Sequence, residues 1–335
     1  MEFHPIERAA EAFQQGIRAE EIEAITLRAL GRDARVESAV ELGNGSYNNT
    51  YLITLAGEQP PVILRVAPEP ARQFRSERQF MRNEYASVPW LAAIADLMPR
   101  VIAADWSHAV IDRDWMVQSL LGGVPAAGPR GLDAYPRPAW TGFYRQLGTI
   151  ARRIHRVRGP HFGPITGPGY ATWSQALTAS LETIALDAEG AGLDAADLRK
   201  AAELAADRHL LLDEITEPRM LSGDLWTVNV MLADGAPEPT ITGVLDLDRT
   251  SWGDPAADWT IRMALSKPGT ERDVIWTQDS YGPIDRSPAA QWRAHLYEAR
   301  HLGTLRLEYF RHGDADGVQG TYDGLATALA GLGGL

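Results

Sequence analysis

The hydrophobic period of this chain changes once, and that change sets what it can fold into. Up to about Leu121, apolar residues alternate in short runs over 36–40, 51–55, 62–66, 101–105 and 115–121. Alternation broken by turns of Gly, Asn and Pro predicts strands. Beyond Gly122-Gly-Val-Pro125 the apolar residues recur at three- and four-residue spacing over 140–156, 173–186, 193–215, 290–310 and 322–332. That period predicts helices, interrupted by one β-like insert over 228–247. Two helical stretches also fall early: 5–30, where Ala9, Phe13, Ile17, Ile22, Ile25 and Leu30 keep helix-like spacing, and 73–95, with an interruption at Pro89. The pattern predicts an α+β protein of two lobes. Residues 1–121 form a β-rich lobe with 1–34 as a helical extension, and residues 122–335 form a mainly helical lobe.

Composition narrows the chemistry. The 335 residues are 45% hydrophobic and 23% charged, enough to bury substantial cores. With no cysteine, disulfides, thiolate-bound zinc, iron–sulfur clusters and thiol catalysis are excluded. No apolar run is long enough to span a bilayer and the first ten residues are charged rather than signal-like, so a cytoplasmic protein without a membrane partner is expected. The net charge of -12 argues against nucleic acid, whose phosphates need a basic footprint. The charge is uneven. Residues 1–121 carry 12 basic and 17 acidic side chains (-5), 122–200 carry 9 and 6 (+3), and 201–335 carry 11 and 21 (-10). A cleft built from the last stretch would attract cations.

The sharpest local signal is Leu221-Ser-Gly-Asp-Leu-Trp-Thr-Val-Asn-Val-Met-Leu232. Asp224 stands five residues before Asn229 in a loop entering an apolar β run. Seventeen residues later Gly243-Val-Leu-Asp-Leu-Asp248 places Asp246 at the end of a buried strand. Phosphoryl transfer needs such a set: one carboxylate to orient the attacking hydroxyl, and an amide oxygen with a second carboxylate to hold Mg²⁺ against the phosphates. On the nucleotide side, Gly43-Asn-Gly-Ser-Tyr-Asn-Asn-Thr50 lies between two predicted strands. The backbone N–H groups around Gly45 and the Ser46 hydroxyl are candidates to cover phosphates; a hairpin turn needing Asn and Gly for steric reasons is the alternative.

These segments, in this order, resemble the aminoglycoside phosphotransferase family, which groups with choline kinases and other kinase-like small-molecule kinases. Gly223-Asp-Leu-Trp-Thr-Val-Asn229 resembles the family's catalytic loop. Val244-Leu-Asp246 followed by Trp252-Gly-Asp-Pro-Ala-Ala-Asp258 resembles its metal segment. The resemblance runs from about Val36 to Trp259 and implies a two-lobed protein-kinase-like fold. It implies Asp224 as catalytic base, Asn229 and Asp246 as Mg²⁺ ligands, and ATP or GTP as co-substrate. It also implies a strand-borne cation, Arg65, with an acidic partner on the following helix, Glu84 or else Glu77. In Trp115-Met-Val-Gln-Ser-Leu-Leu-Gly-Gly123 it implies a hinge whose backbone at Ser119 and Leu121 bonds the purine. The chain departs from the family at Ser222, where relatives carry a His that braces the loop, and at Arg65, where Lys is usual. Asp254 and Asp258 are expected to cap helices or anchor the loop, Asp248 to face either the metal or solvent, and His155 and His161 to be structural. The implied activity is phosphorylation of a hydroxyl on a small acceptor. The -10 stretch favours a cationic one, such as an aminoglycoside or another amino-sugar compound. Ketosamine or choline-like alcohol kinases, and a module that binds nucleotide without turnover, are the rivals.

Overall fold

The computed structural model describes residues 1–43 and 45–333; Asn44 of the glycine turn lies outside the described residues. By internal packing the chain divides into two units, residues 1–74 with 98–122, and residues 75–97 with 123–335.

The first unit is built on one six-stranded sheet. Its strands are β1 (Glu2–His4), β2 (Val36–Leu42), β3 (Asn49–Leu55), β4 (Val62–Val66), β5 (Val101–Asp105) and β6 (Trp115–Ser119), with helix α1 (Ala19–Leu30) between the first two in sequence. The order is β1-β2-β3-β4-β6-β5, antiparallel except for the parallel β1–β2 pair. Alternate residues of β3 are fully buried, and Tyr51, Ile53 and Leu55 join Leu64, Val66, Trp115 and Val117 in one core with Ile22 and Ile25 of α1. Burial of each such side chain stabilises the sheet by roughly 1.5–3 kcal/mol.

The reading of 5–30 as one helix is corrected here: only Ala19–Leu30 is helical. The preceding backbone is held by tertiary hydrogen bonds instead. Glu41 accepts from the Ile6 N–H (2.9 Å) and from Arg8 (2.6 Å), the Tyr51 hydroxyl accepts from the Ile17 N–H (2.9 Å), and Arg72 donates to the Ala12 carbonyl (2.7 Å). Groups that would have closed helical turns are bonded to side chains from elsewhere in the unit, which helical spacing alone cannot reveal.

The second unit holds helices α2 (Phe80–Ser87), α3 (Trp140–His155), α4 (Trp173–Gly190), α5 (Ala196–Asp207), α6 (His209–Leu212), α7 (Trp259–Leu265), α8 (Pro288–Arg311) and α9 (Ala315–Leu332). The stretch 73–95, expected as helix, is α2 followed by a 3₁₀ segment, Val88–Leu97, at Pro89. Residues 75–97, which the sequence placed with the strands, pack in this unit for visible reasons. Asp187 accepts from the backbone N–H groups of Arg75 and Ser76 (both 2.9 Å), and Trp90 meets Trp252 edge to face at 5.1 Å.

Two small antiparallel sheets lie among these helices. One has the order β11-β10-β7, from Ile241–Val244, Val230–Leu232 and Val124–Pro125; the other has β8-β12-β9, from Gly163–Pro164, Ser251–Gly253 and Arg219–Leu221. The topology has a direct consequence. Loop 222–229 leaves β9 and enters β10, while loop 245–250 leaves β11 and enters β12. Since β9 pairs with β12 and β10 with β11, both loops cross between the same two sheets and must run side by side.

Candidate active site

The first of these loops carries Asp224 and Asn229, the second Asp246. The Asn229 side-chain amide donates to the Asp224 carbonyl (2.9 Å) and to its Oδ2 (3.0 Å). That orientation turns the amide oxygen away from Asp224. The loops are tied directly, because the Leu245 N–H donates to the Asn229 carbonyl (2.9 Å). Asp246 has φ of +57°, one of two non-glycine residues among the described ones in the left-handed region. Asp and Asn tolerate that conformation better than other side chains. Burial pushes the half-buried Asp224 carboxyl up to about 7, and the Asp246 and Glu308 carboxylates push the same way against Arg249 and the Asn229 hydrogen bond.

The loop is braced by one buried carboxylate. Oδ2 of Asp258 accepts from the Ser222 N–H (2.8 Å), the Ser222 hydroxyl (2.7 Å) and Nε2 of His155 (2.7 Å). Its Oδ1 accepts from the Gly223 N–H (2.9 Å) and, as the cap of α7, from the Trp259 N–H (2.9 Å). Burial alone would raise this carboxyl, but the His155 and Ser222 contacts outweigh it and hold Asp258 below the usual carboxylate range. The other nitrogen of His155 faces the Tyr281 hydroxyl at 2.8 Å. The hydroxyl at 222 thus reaches the bracing carboxylate itself, and an imidazole arrives there from α3. Gly223 is compelled by packing: its φ is +79°, and a Cβ there would lie 2.3 Å from the Arg249 carbonyl oxygen. The Thr260 hydroxyl donates to the Leu225 carbonyl (2.6 Å) and closes the frame.

The neighbours keep to structural work where that was expected. Asp254 caps the short turn Pro255–Ala257 and accepts from the Tyr297 hydroxyl (2.6 Å). Asp248 is buried, and its carbonyl accepts from Asn83 (2.9 Å). Arg249 lies among carboxylates. Burial lowers its pKa, but Asp224, Asp248, Glu308 and Glu77 raise it further than burial lowers it. Sequence reasoning missed Arg249, Glu308 and the bracing role of His155. His155 meets a carboxylate 103 residues away, and no local pattern carries such a pairing.

On the nucleotide side, Gly45 and Ser46 are exposed in the turn between β2 and β3. The turn is held by its main chain, since the Gln14 amide donates to the carbonyls of Gly45 (3.1 Å) and Asn48 (2.9 Å). Arg65 is buried on β4, in register with Thr50 and Met116, in the first unit; Glu84 is buried on α2, in the second. Glu77, the alternative partner, is bonded by Arg311. The N–H of Ser119 already donates to the Arg100 carbonyl (2.9 Å), whereas the Leu121 backbone has no partner among the described residues.

No cluster of three or more His, Asp or Glu side chains forms a metal cage among the described residues. Magnesium needs none, binding through one or two carboxylates with water and phosphate oxygens. The Asp246 carboxylate and the outward oxygen of Asn229 are hard donors of that kind, so the residues present fit the ion. Among the described residues no helix is long and apolar enough to cross a membrane.

The model of the phosphotransferase enzyme family APH matches residues 38–292. No curated protein matches the chain. Among solved structures, a thermostable mutant of aminoglycoside phosphotransferase APH(4)-Ia, in ternary complex with AMP-PNP and hygromycin B, is 15% identical with a TM-score of 0.63, covering 94% of this chain and all of that one. The GDP complex of a mutant of aminoglycoside 2'-phosphotransferase-IIIa is 16% identical with a TM-score of 0.60, covering 93% and 97%. A Haemophilus somnus 129PT protein assigned as a fructosamine-3-kinase is 17% identical with a TM-score of 0.61, covering 92% and 97%. At such identities the likenesses establish the fold, that of the kinase-like phosphotransferases.

Proposed function

This chain belongs to the phosphotransferase enzyme family APH, and from that premise we propose that it transfers the γ-phosphoryl group of ATP or GTP to a hydroxyl of a small molecule. One observation carries the reading: two loops crossing between the same pair of sheets bring Asp224, Asn229 and Asp246 together. The acceptor oxygen attacks the γ-phosphorus, the bond to the β–γ bridging oxygen breaks, and the nucleoside diphosphate leaves. The hydroxyl proton passes to the Asp224 carboxylate, which Asn229 holds by its amide. Asp246 and the Asn229 oxygen are the Mg²⁺ ligands; the ion, when bound with nucleotide, neutralises charge on the phosphates. Gly45 and Ser46 cover the phosphates, Arg65 supplies the strand-borne cation with Glu84 as its acidic counterpart, and the backbone at Ser119 and Leu121 meets the purine.

The overall charge favours an amine-bearing acceptor, an aminoglycoside or another amino-sugar compound. The Asp224-Leu225-Trp226 wording and the likeness to the fructosamine-3-kinase favour a ketosamine as the second reading. The test is release of ADP or GDP across aminoglycosides, nucleoside antibiotics, amino sugars, a ketosamine and choline. Asp224→Asn should bind nucleotide nearly as well as the parent while turnover falls by roughly a hundredfold or more. Turnover near the parent's would overturn the base assignment.

A further inference from the structure

The amino-terminal segment ahead of α1 is not helical, yet its backbone is pinned along its length. Glu41 holds it at Ile6 and Arg8, and the same carboxylate accepts from the Asn49 amide (2.8 Å) at the start of β3. Arg72 donates to the carbonyls of Ala10 (3.2 Å), Glu11 (3.2 Å) and Ala12 (2.7 Å). Arg113 donates to those of Gln15 (2.7 Å) and Gly16 (3.4 Å). The Gln15 amide closes back on the carbonyls of Ala9, Ala10 and Ala12, and the Ile17 N–H reaches the Tyr51 hydroxyl. Ordering a coil costs conformational entropy, and here guanidinium groups bonded to its carbonyls offset that cost. The segment is a strap fastened to the sheet.

Between its two fastened stretches lie Phe13 and Gln14, and both meet the glycine turn. The Phe13 and Tyr47 rings are 5.7 Å apart, tilted by 43°. The Gln14 amide nitrogen carries two hydrogens and spends them on two carbonyls, Gly45 (3.1 Å) and Asn48 (2.9 Å). One side chain from outside the turn therefore sets its span. It also sets the direction of a peptide group. In a planar trans peptide the N–H points opposite to the C=O, so capture of the Gly45 carbonyl directs the Ser46 N–H away from the strap. The tip of the turn is open: Gly45 and Ser46 are exposed, and a Cβ at Gly45 would meet nothing nearer than 3.9 Å. Gln14 also lies ahead of residues 38–292, which the family model matches, so this support comes from outside the shared motifs.

We infer that Gln14 is a positioning residue for the nucleotide. Through the carbonyls of Gly45 and Asn48 it holds the turn in the form that meets the phosphates of a nucleoside triphosphate. The inference rests on the reading of Gly45 and Ser46 as the phosphate cover. Because Gln14 acts on the turn alone, its effect falls on the phosphates and not on the purine.

Calorimetric titration of the full chain with AMP-PNP and Mg²⁺, and separately with adenosine, tests the role. Gln14→Ala should weaken AMP-PNP binding about three- to tenfold, the range for neutral hydrogen bonds exchanged with water, and leave adenosine binding as in the parent. Gln14→Glu keeps the size but offers only acceptors to the two carbonyls, and should weaken AMP-PNP at least as much. Hydrogen exchange supplies a second reading. In both variants the amides of 45–49 should exchange faster while those of 51–55 keep the parent's rate, and the thermal unfolding midpoint should not move. AMP-PNP held by Gln14→Glu as tightly as by the parent would overturn the role. So would equal weakening of AMP-PNP and adenosine, a lowered midpoint, or faster exchange spread evenly over 45–55. The parent protein separates this inference from the one beneath it. AMP-PNP bound by the parent and by both variants alike would sink the role of Gln14 and leave the phosphotransferase reading standing. A parent that binds no AMP-PNP would sink the phosphate cover, and the role of Gln14 with it.

Discussion

Glycine serves opposite ends in the two loops that carry the motifs. At Gly223 the backbone is left-handed and so close to Arg249 that a Cβ would overlap its carbonyl. Side chains from two helices and a strand end then fix the loop: Asp258 and Thr260 at α7, His155 on α3, and Ser222 after β9. At Gly45 the nearest atom to a Cβ would be the Asn48 carbonyl oxygen, 3.9 Å away. Among the described residues no atom stands close enough to require glycine there. In one loop glycine lets the chain approach itself; in the other a side chain would meet only ordinary contact. On the proposed function, the carboxylates would need fixed positions and the turn at Gly45 would need bare N–H groups and room.

The sharpest way to break this contrast is Gly223→Ala. It combines a disfavoured φ with a backbone clash, and should cost about 2–4 kcal/mol in thermal or denaturant unfolding and abolish most turnover. Unfolding within about 0.5 kcal/mol of the parent would show that the loop is less tightly framed than its contacts suggest. Next comes Asp258→Asn, which keeps the shape but removes the charge accepting five donors, with an expected loss of about 2–3 kcal/mol. The sign of its pH dependence is fixed. Folding depresses the Asp258 carboxyl, so its contribution is complete above the ordinary carboxylate value near pH 4 and is lost as pH falls through the lowered one. The acid limb of the stability profile should therefore flatten in Asp258→Asn; an unchanged limb would remove this carboxylate from the frame. Ser222→Ala should cost about 1 kcal/mol, because His155 and three backbone N–H groups remain on the same carboxylate. Gly45→Ala should alter stability least, by less than about 0.5 kcal/mol, while raising the nucleotide KM severalfold. A large stability loss there would mean that the turn is packed and not open.

What could be read from the sequence follows the same divide. The strands 62–66 and 101–105 were legible to the residue, because each is a β-prone run bounded by turn residues. The position of loop 222–229 between two strands was legible because its motif is concentrated in seven consecutive residues. The frame was only half legible: Asp258 follows its motif, but His155 joins it through packing of a distant helix. The segment 5–18 misled because spacing records which residues are apolar, not whether their carbonyls bond within a helix or to Arg72 and Gln15. The division at 75–97 was hidden for a similar reason, since Asp187 and Trp252 lie far along the chain from the residues they hold.

The left-handed backbone of Asp246 separates two kinds of replacement. Asparagine shares aspartate's tolerance for that conformation, so Asp246→Asn removes a formal charge and leaves the loop's path intact. Alanine does not, and Asp246→Ala would relax the turn between β11 and β12 as well as deleting an oxygen donor. The first substitution should therefore be tolerated by the fold on its own, whereas the second would need a further change to accommodate it.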